Sequence, residues 1–208
     1  MANTEKYDRT GARELSSAPS VERIIDAALE LFAEHGYNST IAQISEAAGV
    51  SRALLFHHFG SKEGILRAVI DQVSSEVMQV FQQSDDLTGI SALRTYLEER
   101  SRFFRERPQV ARLLMVLGAQ AIVAKRSRPT VLEIEDRKLE FLTRCISEAV
   151  DDGSLRSDVD VEKLALLLAA VTDGDVRMWG IDPKRRPVEQ TNGAILDMLR
   201  LLGSPRPS

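Results

Sequence analysis

The side chains best suited to catalysis or metal binding in this chain are three histidines, one cysteine and two carboxylates in apolar sequence. His57 and His58 are adjacent, so on a helix they point about 100° apart and do not easily share a metal ion. Cys145 is the single cysteine, which excludes a disulfide within the chain and a cysteine-based zinc site. These residues therefore predict neither a metal centre nor a bound cofactor.

The sequence also lacks the motifs of common enzyme classes, so we do not expect an enzyme. There is no glycine-rich phosphate loop, no nucleophile elbow and no obvious histidine partner for Cys145. A chain of 208 residues with 43% hydrophobic and 28% charged residues is typical of a folded globular protein. No apolar run approaches the roughly 18 residues of a membrane span, and we expect a cytoplasmic protein without a membrane partner.

One short stretch differs from the rest of the chain in its charge. The net charge of the chain is −4, which by itself disfavours nucleic-acid binding. From Ala47 to Ser61, however, there is no acid, and this stretch contains Arg52 and His57. Because phosphates repel carboxylates, the missing acids indicate a surface that faces DNA.

Helical spacing of apolar residues recurs along the chain, and strand patterns are nearly absent. We therefore predict an all-α protein of about nine helices. The first helix should run from a cap at Ser20 to Gly36, and a capping box of Thr40 and Gln43 should open the second. The expected domains are a flexible arm at 1–19, a three-helix helix-turn-helix unit at 20–66, a larger helical body at 67–203 and a disordered tail at 204–208.

The second and third helices are joined by Ala48-Gly49-Val50, a pattern typical of a helix-turn-helix. Gly49 suits a left-handed turn position, and Ser51 opens the third helix. Leu55 and Phe59 are four residues apart and should point inward. The residues left on the outer face are Arg52, Ala53, Leu54, Phe56 and His57.

Lys62 and the basic residues of the N-terminal arm each allow two interpretations. Lys62 lies in the first turn of the fourth helix, where the helix dipole disfavours a cation, so it either binds a phosphate or is simply exposed. Lys6, Arg9 and Arg13 in the arm either add DNA contacts or belong to a disordered segment.

The fourth helix should run from Ser61 past Phe81. The loop from Lys125 to Pro129 separates two of the later helices. These later helices are expected at about Ile90 to Glu106, Pro108 to Ala124, Thr130 to Asp151, Val161 to Gly180 and Val188 to Leu202.

The stretch HGYNSTIAQISEAAGVSRALLFHHFGSKEGIL, from His35 to Leu66, resembles the DNA-binding segment of the TetR family of bacterial transcription regulators. As in that family, one helix ends in glycine and an aromatic residue, and the next helix begins at a threonine. An Ala-Gly-Val-Ser turn then leads into a helix rich in aromatic residues, which Ser-Lys-Glu follows. It departs from the family pattern at Ser45, Leu54, Phe56 and His58. Phe56 lacks the hydroxyl of the commoner tyrosine, so one phosphate hydrogen bond should be missing.

The resemblance implies which residues contact double-stranded DNA. Thr40, His57 and Lys62 would mainly hold phosphates, and Arg52 would lie near the bases. The full set of implied positions is Thr40, Ser51, Arg52, Ala53, Leu54, Phe56, His57 and Lys62.

The resemblance also implies a homodimer that pairs through the last two helices and reads a palindromic operator. The residues themselves support burial of the first of these helices. The run from Leu164 to Val171 has no polar face, which predicts a helix covered on all sides.

By the same resemblance, the middle helices enclose a pocket for a small-molecule effector that is largely apolar. Each candidate can equally be ordinary core. Asp173 and Asp175 lie in an apolar helix, where an unpaired carboxylate is costly. They either pair with Arg177 or with arginines of a partner subunit, or hold a cationic or hydroxylated ligand. The candidates are Phe81, Phe103, Phe104, Arg112, Met115, Val116, Gln120, Phe141, Cys145, Asp173, Asp175, Met178 and Trp179.

Two functions remain open at this point. The first is a repressor that a small molecule releases from its operator by a population shift. The second is a DNA-binding organiser or activator of the same fold without an effector. A pocket filled by the protein's own side chains would favour the second.

Overall fold

The computed structural model of the chain describes residues 18–84, 86–123, 128–182, 184–185 and 187–203. The predicted tail at 204–208 and the first 17 residues of the predicted arm, with Lys6, Arg9 and Arg13, lie outside these ranges. Every regular element within them is helical, which confirms the all-α prediction. Among the described helices, none combines the length and apolar character that crossing a membrane requires.

The chain divides into two compact units, with the boundary between Asp71 and Gln72. The elements that lie in or begin in the first unit are α1 (Ala18–His35), a 3-10 turn (Gly36–Asn38), α2 (Ile41–Ala48), α3 (Arg52–Phe59) and α4 (Lys62–Gln82), which crosses the boundary. The second unit contains α5 (Gly89–Glu106), α6 (Pro108–Val123), α7 (Arg128–Asp151), α8 (Val161–Ile181) and α9 (Val188–Leu201).

Two helices begin earlier than predicted, and proline is the common reason. The helix α1 begins at Ala18, so Ser20 lies inside the helix and is not its cap. The helix α7 begins at Arg128, within the segment predicted as a loop. In each case a proline, Pro19 or Pro129, occupies the first turn, where its fixed φ and missing N–H are compatible with a helix.

The first unit is built around the buried face of α1. Ile24 and Phe32 on that face are at most 1% exposed. α1 packs against α2, and α2 packs against α3. Ile44 of α2 and Leu55 of α3 are also at most 1% exposed, so the helix pair formed by α2 and α3 has its own apolar core.

In the second unit, α7 lies centrally between α5 and α8, and α9 packs against both α5 and α8. Its core includes Leu142 and Ile146 of α7, which are fully buried. The buried Asn192 side chain donates from Nδ2 to the Leu97 carbonyl at 2.9 Å, which ties α9 to α5.

The apolar helix α8 is covered on one side only. Leu164 and Leu168 are buried, but Leu166 is 61% exposed and Leu167 is 49% exposed. Within a single chain, α8 is therefore not covered on all sides, and its coverage by a second subunit stays a prediction. The reason is that α6, α7 and α9 pack against only part of the circumference of α8.

Candidate functional site

The capping box that opens α2 is present as predicted. The Gln43 backbone N–H donates to Thr40 Oγ1 at 3.2 Å, and the Thr40 N–H donates to Gln43 Oε1 at 2.8 Å. Gly49 ends the helix with a left-handed φ of 63°, which glycine adopts without steric strain because it has no Cβ. This local chemistry sets the sharp turn between α2 and α3.

The helix α3 begins at Arg52 after a cap in which Ser51 Oγ accepts the Leu54 N–H at 3.2 Å. Leu55 faces the core, while Arg52, Ala53 and His57 are exposed. Phe56 is 51% exposed, which is unusual for an aromatic side chain in a soluble helix. Leu54 is half-buried at the edge of this surface. The predicted outer face therefore exists as one exposed, acid-free surface.

Lys62 fits neither of its two sequence-based interpretations completely. Its ammonium donates to the Tyr37 carbonyl at 2.5 Å and lies 3.9 Å from the centroid of the Tyr37 ring. The Tyr37 hydroxyl in turn hydrogen-bonds to Glu63. These contacts stabilise a cation in the unfavourable first turn of α4, and binding of a phosphate by Lys62 stays a prediction. Sequence reasoning missed Tyr37, although its place after the helix-ending Gly36 was visible.

His58 packs against the neighbouring aromatic rings of α3. It is half-buried, and its ring lies 6.2 Å from the Phe59 ring and 5.2 Å from the His57 ring. In the described part of the chain, no cluster of three histidine, cysteine, aspartate or glutamate side chains could hold a metal ion.

The second unit contains a cavity of about 860 Å³ between α4, α5, α6, α7 and α8. Its wall is mainly apolar, and the described lining also includes charged side chains, namely Arg100, Arg128, Glu135, Lys138, Asp173 and Arg177. The predicted ligand-binding residues that line this cavity are Phe81, Phe103, Phe104, Met115 and Asp173.

The other predicted ligand-binding residues whose side chains the structure describes do not line it. Cys145 and Phe141 are buried core residues of the second unit, and burial raises the pKa of the Cys145 thiol to about 11. Trp179 packs in a separate buried cluster with Phe104. Met178 is 37% exposed. Arg112 is exposed, Val116 is half-buried, Asp175 is paired, and the Gln120 side chain lies outside the described part of the structure.

Sequence reasoning missed the residues that neutralise the two aspartates of α8. Asp175 pairs with Arg100 at 2.8 Å, and Asp173 pairs with Lys138, which also pairs with Glu135. Of the alternatives left open by the sequence, the structure shows pairing with cations, but these are Arg100 and Lys138 of the same chain and not Arg177, because α5 and α7 bring them against α8. In the sequence, Arg100 and Lys138 could have been identified as cations on the otherwise apolar inner faces of α5 and α7.

A third surface is the exposed apolar side of α8 and α9. It is formed by Leu166, Leu167 and Val171, continues along α8, and includes a terminal leucine of α9. Exposed apolar groups of this density usually mark a contact surface. Its further members are Met178, Ile181 and Leu201.

Comparisons with known proteins agree with these features. Residues 24–69 match the model of the bacterial regulatory proteins of the tetR family, and residues 90–203 match the C-terminal model of BetI-type transcriptional repressors. The chain is 30% identical over 161 residues to the transcriptional repressor AcnR of Corynebacterium glutamicum, covering 74% of this chain and 79% of AcnR. It is 31% identical over 160 residues to the transcriptional regulatory protein RaaS of Mycobacterium tuberculosis, covering 76% of this chain and 69% of RaaS.

A solved structure has the same fold. The regulator FadR of Bacillus subtilis, crystallised with stearoyl-CoA, superimposes with a TM-score of 0.70 at 22% identity. The superposition covers 86% of this chain and 96% of that one.

Proposed function

Since this chain belongs to the TetR family of bacterial regulatory proteins and is a ligand-responsive, DNA-binding transcriptional repressor that acts as a dimer, we propose a role for each of its three surfaces. The outer face of α3 reads the operator. The apolar side of α8 and α9 joins two subunits. The cavity in the second unit receives the effector.

The observation that carries the DNA assignment is the acid-free outer face of α3. Arg52 is exposed at its start, where a guanidinium can bind guanine or a phosphate bidentately. Ala53 is small enough for close approach to the major groove, and Leu54 can contact thymine methyl groups. The remaining contacts, mainly to phosphates, come from Thr40, Ser51, Phe56, His57 and Lys62.

The dimer forms through the exposed side of α8 and α9. Leu166 and Leu167 expose large apolar side chains that water solvates poorly, and a second copy of the same face would cover them. Such a two-fold dimer presents two α3 helices to a palindromic operator, with half-sites about one DNA turn apart.

The effector is a largely apolar molecule that occupies the cavity. A volume of about 860 Å³ is within the range of small-molecule sites in proteins. The helix α4 begins at Lys62 and contributes Val77, Val80 and Phe81 to the cavity wall. An occupied cavity would therefore shift the population of α4 positions away from the one that suits the operator.

The test is binding of the purified protein to the DNA that flanks its own gene, measured by fluorescence anisotropy at several salt concentrations. Specific binding that weakens with salt and is released by a compound from a small-molecule library would support the proposal. Binding that no compound disturbs would favour an organiser or activator without an effector. Absence of specific binding would contradict the role given to α3.

A further inference from the structure

Two arginines line the cavity without a counter-ion. Arg128 is the first residue of α7, and Arg177 lies near the end of α8. Both residues are exposed, and neither forms an ion pair with a residue that the structure describes. A guanidinium stays charged at every physiological pH, so the cavity wall carries two positive charges that the described part of the protein does not pair.

The carboxylates that line the cavity are paired with another cation. Asp173 precedes Arg177 by four residues on α8, a spacing that allows an ion pair along a helix. It pairs instead with Lys138 of α7. Glu135, which follows Arg128 by two turns on α7, pairs with the same ammonium. An ammonium between two carboxylates therefore leaves both arginines available to a ligand.

Arg100, the third arginine of the described lining, is held by the protein itself. Its two Nη atoms donate to the Asp175 carboxylate, and Nη1 also donates to the Thr172 carbonyl. Its side chain is only 6% exposed. The Nε–H has no partner among the described residues, but this atom is buried. A ligand would have to displace its neighbours to reach Arg100, whereas Arg128 and Arg177 are exposed.

The charges of the cavity wall do not cancel. The described lining contains four cations and two carboxylates, and Asp175 adds a third carboxylate through its pair with Arg100. One positive charge is left over. A single anionic group on a ligand would neutralise this charge, a cationic group would add repulsion, and an uncharged group would leave the excess as it is.

The rest of the described lining is mainly apolar and suits a hydrophobic body. Val77, Val80 and Phe81 come from α4, and Leu114 and Met115 come from α6. Burial of an apolar body of matching size in a cavity of about 860 Å³ is favourable in proportion to the area removed from water. The exposed arginines allow a charged head group to stay partly hydrated while this body is buried.

From the two arginines without a counter-ion, the paired carboxylates and the apolar wall, we infer that the effector is an amphipathic anion. It has an apolar body and one singly charged group, such as a carboxylate, that binds Arg128 and Arg177. This inference rests on the proposed role of the cavity. Guanidinium groups match the geometry of a carboxylate bidentately, so these two arginines are specificity residues that select the charge of the ligand.

The test compares decanoate, decanol and decyltrimethylammonium, which have apolar chains of similar length and differ in the charge of the head group. Isothermal titration calorimetry of the full chain at neutral pH, below the concentrations at which the probes aggregate, gives the Kd of each. We expect decanoate to bind most tightly. Arg128→Gln and Arg177→Gln should each reduce the preference for decanoate over decanol by about two- to fivefold, the range for an ion pair in contact with water.

Arg94→Gln is the matched control, since Arg94 is an exposed arginine of α5 outside the described lining. It should leave the preference as in the wild type. A preference that neither Arg128→Gln nor Arg177→Gln changes would overturn the inference and leave the cavity as a binding site. Tightest binding of decyltrimethylammonium would also overturn it and would assign the head group to the carboxylates. Failure of all three probes to bind the wild type would overturn both the inference and the assignment of the cavity, while operator binding tests the DNA surface independently.

Discussion

Arg100 of α5 and Asp175 of α8 form a bidentate ion pair inside the second unit. Arg100 Nη1 donates to Asp175 Oδ1 at 3.0 Å, and Nη2 donates to Oδ2 at 2.8 Å. The two side chains are 6% and 7% exposed. The same guanidinium donates to the Thr172 carbonyl at 3.1 Å, so one side chain ties two helices together at two points.

Asp175→Ala should destabilise the protein strongly. The substitution leaves the Arg100 guanidinium buried without its counter-ion, which costs about 3–5 kcal/mol. Urea unfolding followed by circular dichroism measures the change. Arg105→Ala is the control, because the Arg105–Glu189 pair joins α5 to α9 at the surface, where an ion pair contributes at most about 1 kcal/mol. Equal losses of unfolding free energy in the two variants would show that burial does not increase the contribution of the Arg100–Asp175 pair.

Arg52→Ala should weaken operator binding by about tenfold or more without changing the unfolding midpoint. Arg52 is exposed at the start of α3, so its loss removes a DNA contact and no packing. Fluorescence anisotropy at two salt concentrations measures the effect. Arg67→Ala, which removes an exposed arginine from α4, serves as the control and should have a smaller effect. An unchanged affinity for Arg52→Ala would remove this residue from the DNA surface.

Two adjacent leucines of α8 should respond differently to the same substitution. Leu168 is 1% exposed, so Leu168→Glu buries a carboxylate in the core and should unfold the protein. Leu167 is 49% exposed, so Leu167→Glu should leave the subunit folded and break the dimer. Sedimentation velocity and circular dichroism distinguish the two results. A native dimer of the Leu167→Glu variant would show that the subunits pair elsewhere.

Gly64→Ala should disrupt the start of α4. A Cβ at this position would lie 2.0 Å from the Phe59 carbonyl oxygen, a contact that backbone must move to relieve. We expect a loss of about 3 kcal/mol or more, measured by thermal unfolding. Gly118→Ala is the control, since a Cβ there meets nothing within 4 Å and alanine is the better helix former by about 1 kcal/mol.

The Cys145 thiol should resist alkylation in the folded protein. It is 1% exposed, and burial raises its pKa from 9.0 to about 11, so at pH 8 it is both inaccessible and protonated. Because the pKa is higher in the folded state, the thiol's contribution to stability is complete below pH 9 and is lost as the pH rises to about 11. Cys145→Ala should therefore flatten the decline in stability over this interval. Rapid labelling by iodoacetamide at pH 8 without denaturant would contradict this assignment.

The sequence by itself determined the helices and the DNA-facing hairpin, because these depend on interactions between residues close in the chain. Thr40 and Gln43 are three residues apart, and their mutual caps form wherever the backbone turns into a helix. Gly49 similarly specifies its own left-handed turn. The two helix starts that differ from the prediction, at Ala18 and Arg128, are also local, since each helix has a proline in its first turn.

The tertiary structure alone decided which side chains meet across helices. Arg100 and Asp175 are 75 positions apart, and Lys62 contacts Tyr37 across 25 positions. Such pairings depend on how each helix is rotated about its axis and on which rotamers fit, and apolar periodicity does not specify either. The same holds for the exposed side of α8. An apolar run predicts burial, and only the packed neighbours decide which face of the helix is covered.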